Sequence, residues 1–293
     1  MEGSASPRRR IAAPDPGRLG PAVIDSHVHV VSADETAYPR QTTAETASLH
    51  GAPTVTAEEL LALARRKDLE RIVLVQSFAA YAFDNRYSAD AARQYPDRFA
   101  FVCGVDPGAP DVVEAARHWV GEGACGLRVL AFAPDFEADR LQPIFEVASS
   151  SGVALCLLTT PPILEELPGI SRAHPHVPLV LDHCGLQSLD SGKDDLGAPA
   201  LLALSEVENA VVKISTRVFD QVVGSPRDVV ERLVERFGPE RVMWGSDFPA
   251  SPVASYAAAL DRAEEMTAGL RASEREWVLH GTAERVWRLG PGD

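Results

Sequence analysis

Val23-Ile24-Asp25-Ser26-His27-Val28-His29 reads as a short buried strand that runs out into two histidines, and strands of this kind recur along the chain. Arg71-Ile72-Val73-Leu74-Val75-Gln76, Phe99-Ala100-Phe101-Val102-Cys103-Gly104-Val105 and Gly126-Leu127-Arg128-Val129-Leu130 follow it in the first half. Val153-Ala154-Leu155-Cys156-Leu157-Leu158, Val177-Pro178-Leu179-Val180-Leu181-Asp182-His183, Ala210-Val211-Val212-Lys213-Ile214-Ser215 and Arg241-Val242-Met243-Trp244-Gly245-Ser246-Asp247 follow in the second. Apolar runs that are continuous rather than alternating suit parallel strands covered on both faces. Between the runs lie helical segments. Thr56-Ala57-Glu58-Glu59 has the form of a capping box, Asp111 is placed to cap Val112 to Val120, and Ser225-Pro226 puts proline in a first turn. Strand and helix alternating eight times predict a (β/α)8 barrel of the TIM type, an α/β fold. A doubly wound open sheet is the alternative, but no glycine-rich phosphate loop follows the first strand.

The chain is long enough, at 293 residues, to bury a core without disulfides. Its net charge of −14 argues against nucleic acid or an anionic membrane as partner, since both need a positive footprint. Cys103, Cys125, Cys156 and Cys184 show no CxxC spacing and read as reduced, packed thiols, which suits the cytoplasm. Residues 1 to 20 read as a disordered tail, and residues 21 to 293 as one barrel domain. The basic Arg8-Arg9-Arg10 lacks the apolar stretch that would make it an export signal. The long segments 31 to 55 and 184 to 200 are expected to wall the site.

In a barrel the carboxyl ends of the strands meet on one face. That rule gathers His27 and His29 from the first strand, His183 from the sixth and Asp247 from the eighth. Alternation by two points both first-strand histidines the same way. A lone histidine at a strand end is more often a structural residue; three with a carboxylate on one rim are not something core packing requires. These four are the expected catalytic residues. Ser77, Arg128 and Arg217, at the ends of the second, fourth and seventh strands, are the expected substrate contacts, although either arginine could simply pair with a carboxylate. Asp25 and Asp182 stand beside the histidines, as orienters or as plain strand residues. His50, His118, His174, His176 and His280 fall on loops or outer helices and are expected at the surface. Cys184 has no evident base and is a poor candidate nucleophile.

Ile24-Asp25-Ser26-His27-Val28-His29, Leu181-Asp182-His183-Cys184-Gly185 and Trp244-Gly245-Ser246-Asp247-Phe248-Pro249 together resemble the amidohydrolase superfamily. More narrowly they resemble its amidohydrolase-2 group, and within it the lactonases of pyrone dicarboxylates and sugars. Val75-Gln76-Ser77, Asp84-Asn85, Gly126-Leu127-Arg128 and Thr282-Ala283-Glu284-Arg285-Val286-Trp287 carry the likeness to the end of the chain. The resemblance implies a hydrolase that opens a lactone or similar ester, with Asp247 as base for water and His27, His29 and His183 polarising the carbonyl. It also implies two departures. Metal-dependent relatives take a ligand from the fourth or fifth strand, whereas the fifth strand here ends Leu157-Leu158-Thr159-Thr160. Two readings of the cofactor therefore stand: none, or one divalent cation, zinc or manganese, on His27, His29, Asp247 and His183. The pyrone-dicarboxylate branch has further basic residues where this chain has Ala131-Phe132-Ala133 and Leu186, so a less charged substrate is expected. Burial is expected to lift the Asp247 carboxyl toward the range of a useful base. A metal-dependent decarboxylase and an inactive, ligand-binding barrel are the alternatives. The expected partner is a small molecule, with the protein a monomer or homodimer.

Overall fold

In a computed structural model, described for residues 23–41, 52–65, 69–133, 135–219, 221–251 and 253–290, eight strands form one sheet in the order of the chain. They are β1 Val23–Val28, β2 Leu69–Val75, β3 Phe99–Gly104, β4 Gly126–Ala131, β5 Ala154–Thr159, β6 Leu179–Leu181, β7 Ala210–Ser215 and β8 Val242–Gly245. Every neighbouring pair from β1 to β8 is parallel, with helices between strands, which is the expected (β/α)8 barrel. The expected tail lies outside the described residues.

The seam between β8 and β1 closes at the carboxyl end of the barrel. There Asp247 N donates to His27 O at 2.8 Å and His29 N to Phe248 O at 2.8 Å. The Asp25 carboxylate spans the same seam, accepting from Ser246 N at 2.8 Å and from His27 N at 3.2 Å. Gly245 is required here: a Cβ on it would lie 2.7 Å from the His27 Cβ. The strand that carries Asp247 can approach the one that carries the histidines only without a side chain at that position.

Two apolar cores follow from strands covered on both faces. Leu60, Phe101, Leu127, Phe145, Leu164, Leu233 and Trp244 belong to the large core between sheet and helices. Inside the barrel, Ile24, Val73, Val102, Ala154, Cys156, Val180, Val211 and Met243 pack with Trp287. Trp287 comes from the last helix, Thr282–Trp287, and its ring lies 2.7 Å from where a Cβ on Gly126 would stand. Glycine on β4 thus admits the indole.

The predicted caps divide. Thr56 Oγ1 accepts from Glu59 N at 3.1 Å and Glu59 returns the bond to Thr56 N at 2.8 Å, so the capping box forms. Ser225 Oγ accepts from Asp228 N at 3.2 Å and caps the helix Pro226–Phe237. Asp111 precedes Val112–Gly121, but its side chain makes no capping bond and its backbone is not extended as a capping residue requires.

Candidate active site

His27 and His29 leave β1 on the same side, and their Nε2 atoms stand 3.3 Å apart. Asp247 Oδ1 lies 3.3 Å from His29 Nε2, 3.6 Å from His27 Nε2 and 3.7 Å from His183 Nε2. All four side chains are buried or nearly so. His183 and Asp247 were expected at strand ends; they sit just beyond β6 and β8, in the left-handed region. Their φ values are 52° and 56°, a conformation that costs a non-glycine residue roughly 1–3 kcal/mol. Cys184 and Leu186 share it, so the turn after β6 is wound tightly enough to swing His183 over the barrel mouth.

Each imidazole is held from behind. His29 Nδ1 faces the Val75 carbonyl at 2.8 Å and must donate there, which leaves Nε2 free toward the cluster. His183 Nδ1 pairs with Ser215 Oγ at 2.7 Å. His27 Nδ1 lies 3.4 Å from both Asp182 Oδ1 and Lys213 Nζ. Asp247 Oδ2 accepts from Arg217 Nε at 2.9 Å and from Ser251 Oγ at 3.2 Å. Asp25 meets the cluster only through the His27 backbone. It accepts from Tyr256 Oη at 3.0 Å as well as the seam amides, and burial lifts its carboxyl to about 6.

A second charged layer lies beneath. Asp182 Oδ2 accepts from Arg128 Nε at 2.8 Å; Oδ1 accepts from Lys213 Nζ and Cys156 Sγ, each at 2.9 Å. Below Lys213, the Trp287 ring centroid is 5.0 Å from the ammonium. Lys213 is fully buried and had no assigned role at the level of sequence. Its signal was there: a lysine inside the otherwise apolar run Ala210-Val211-Val212-Lys213-Ile214.

The electrostatics depart from expectation at Asp247. Burial pushes its carboxyl up, but His183, His29 and His27 outweigh burial and hold it well below the usual carboxylate range. Burial also lowers His27 well below the ordinary histidine range and His183 to about 4, so both imidazoles are neutral. Asp182 is ionised too: burial raises it, and Lys213, His27 and Arg128 hold it down.

The expected substrate contacts are placed less freely than their sequence positions suggest. Arg128 is buried against Asp182, and Arg217 is tied to Asp247 with its side chain 39% exposed. Ser77 is buried at the start of the short helix Phe78–Tyr81, two residues past the carbonyl that holds His29, and its hydroxyl does not cap that helix. His118 and His176 are exposed; His174 and His280 are half-buried, and His174 stacks on Phe145 at 5.0 Å between ring centroids. His50 lies outside the described residues. Cys184 is buried and burial pushes its thiol up, which disqualifies it as a nucleophile.

Bare imidazole nitrogens and an ionised oxygen cannot crowd this closely without a proton or a cation among them. The donor spacing suits a cation. Ligands about 2.0–2.1 Å from a tetrahedral zinc stand about 3.3–3.4 Å from one another. The His27–His29 and His29–Asp247 separations, both 3.3 Å, match that edge. His27, His29 and Asp247 form one group able to hold a metal, and His27, Asp182 and His183 form another around the same imidazole. The fifth strand adds no ligand to either group among the described residues.

A family model described as Amidohydrolase matches residues 24–289. An L-fucono-1,5-lactonase of Burkholderia ambifaria is 28% identical over 209 residues, which span 68% of this chain and 71% of the relative. A Pseudomonas putida structure, described as a 2-pyrone-4,6-dicarboxylic acid hydrolase, superposes with a TM-score of 0.72 at 24% identity. It covers 94% of this chain and 100% of that one. A zinc-bound amidohydrolase from Burkholderia multivorans gives a TM-score of 0.69 at 24% identity, with 91% and 99% covered.

Proposed function

The chain belongs to the amidohydrolase family, and we propose that it opens a lactone, or a similarly activated ester, by adding water to the carbonyl. The observation that carries this reading is the convergence of His27, His29 and His183 Nε2 on Asp247 Oδ1, within 3.3–3.7 Å. In the proposed reaction Asp247 takes the proton of the attacking water. Its ionised state at neutral pH makes it competent to do so, while the imidazoles that hold it ionised also make it a weak base. A water polarised by its surroundings is therefore needed. His27, His29 and Asp247, with His183 beside them, would hold a divalent cation. Such an ion supplies that polarisation by lowering the pKa of water and drawing charge from the carbonyl oxygen. The tight His27–His29–Asp247 spacing favours the metal-bound reading of the cofactor over the metal-free one.

The substrate class follows from where the cations went. Arg128 and Arg217 each have their Nε committed to a site carboxylate, and Leu186, an exposed apolar residue, stands three residues past His183. A site so furnished leaves neither arginine Nε for a dianion. A neutral lactone fits it better, and the similarity to a fuconolactonase points to a sugar lactone.

A panel of neutral sugar lactones, pyrone dicarboxylates and aryl carboxylates tests this, read in parallel by proton release and by CO2 evolution. Proton release from the neutral lactones is the expected result. CO2 evolution from an aryl acid without lactone opening would overturn the proposal in favour of a decarboxylase. Asp247→Asn should cut turnover by about 10²–10⁴-fold, the range for a lost general base, with the melting curve still cooperative.

A further inference from the structure

Lys213 is a buried charged group that the proposed reaction leaves without a task. It cannot be a passive remnant of the core, because its Nζ sits 2.9 Å from Asp182 Oδ1 and 3.4 Å from His27 Nδ1, with no exposure to solvent. A histidine that ligates a metal through Nε2 ordinarily donates its Nδ1–H to a carboxylate, which fixes the ring and strengthens the ligand. The carboxylate in place here is Asp182. Its Oδ1 is shared three ways: Lys213 and Cys156 reach it at 2.9 Å, while the His27 Nδ1 contact stretches to 3.4 Å. Lys213 Nζ crowds the same nitrogen, also at 3.4 Å, and an ammonium has no lone pair to accept a proton from it. Charge adds to the mismatch. Lys213 and Arg128 share the single carboxylate of Asp182, so the layer beneath His27 carries one net positive charge.

We propose that Lys213 is a positioning residue that keeps the cation position on His27, His29 and Asp247 weak and exchangeable. It does so by competing for the Asp182 oxygen that His27 reaches only at 3.4 Å and by placing uncompensated positive charge under the metal. The inference rests on the reading of those three residues as a cation site. Removing the ammonium takes one of two close competitors from Asp182 Oδ1, leaving Cys156 beside His27, and brings the layer to zero net charge. Both changes act in the same direction, toward tighter binding.

The test is a zinc titration of the full chain after chelation, followed by calorimetry at pH 7. Wild type is compared with Lys213→Met, which fills the same volume without charge, and Lys213→Gln, which removes the charge but keeps a donor. In both variants Arg128 still pairs with Asp182, so the carboxylate is not stranded. Zinc should bind at least tenfold tighter to both variants than to wild type. A residue that merely supported the fold would give the opposite result, since loosening the barrel weakens a preformed site. Equal or weaker affinity in whichever variant folds, with binding still abolished by His27→Ala, overturns the role of Lys213 alone. Zinc binding that His27→Ala leaves unchanged, or no binding at 1 mM by wild type or variant, overturns the cation site and this inference with it.

Discussion

Replacing Asp182 by asparagine removes one charge from the centre of the barrel and strands two. Asp182 Oδ1 meets Lys213 Nζ at 2.9 Å and Oδ2 meets Arg128 Nε at 2.8 Å, with all three side chains at most 5% exposed. Asparagine keeps the shape and one acceptor oxygen, yet two cations then face each other with no anion between them. Removing one partner of a buried ion pair costs about 3–5 kcal/mol. The second cation places Asp182→Asn at the upper end of that range or above. A barrel of this size loses about 2 °C of melting temperature per kcal/mol, so a fall of about 8–10 °C is expected. Thermal unfolding followed by circular dichroism measures it. A double-mutant cycle sharpens the attribution: adding Lys213→Met to Asp182→Asn removes one stranded cation and should recover about 2 kcal/mol of the loss. If Asp182→Asn melts within 2 °C of wild type, or if the two substitutions are simply additive, the charged layer is not a linked unit.

Trp287 closes the floor of the barrel beneath Lys213, and its removal opens a cavity in the inner core. Trp287→Ala should destabilise by about 3–5 kcal/mol, read by urea unfolding; a loss under 1 kcal/mol would show that the floor is sealed by other residues. Asp25, lifted by burial to about 6, gives a pH signature. Its folded pKa lies above its unfolded value near 3.8, so its contribution is fully present below pH 3.8 and is lost as pH rises through 6. Wild type should therefore lose up to about 3 kcal/mol relative to Asp25→Asn between pH 4 and pH 7. A stability difference that stays flat over that interval would show that Asp25 is not lifted by burial.

The barrel was legible because its evidence is repetitive. Eight apolar runs separated by capped helices leave few other arrangements, and the structure departs mainly at the edges. β6 is Leu179–Leu181, not a run reaching His183, because the chain turns left-handed as soon as it leaves the sheet. Nothing in Leu181-Asp182-His183-Cys184-Gly185 announces that turn except the glycine at its end. Asp111 failed as a cap for a related reason: a residue type that can cap is not sufficient, as Thr56 and Ser225 cap from extended backbone while Asp111 has a φ of −106° and a ψ of 20°.

The candidate site divides along the same line. His27, His29, His183 and Asp247 could be gathered from strand position alone, since the fold places every strand end on one rim. Their protonation could not. Desolvation alone argues for a raised Asp247, and the opposite direction emerges only when His183, His29 and His27 are known to lie against it. Arg128 and Arg217 show the same limit from the other side. Each stands at the rim where a substrate contact belongs, and each turns its guanidinium to a carboxylate whose sequence neighbours say nothing about it. The seam between β8 and β1 joins these facts. Asp247 N bonds to His27 O and His29 N to Phe248 O, so the backbone bonds that close the barrel also set the spacing of the cluster. A Cβ at Gly245 would stand 2.7 Å from the His27 Cβ and 2.8 Å from the His27 N, so it would spread the seam and displace a residue of the cluster together. Fold and site are therefore coupled most tightly at β1 and β8. His183 and Leu186 follow β6, and Arg217 lies in the short helix after β7, so these three stand outside the strands that the seam joins.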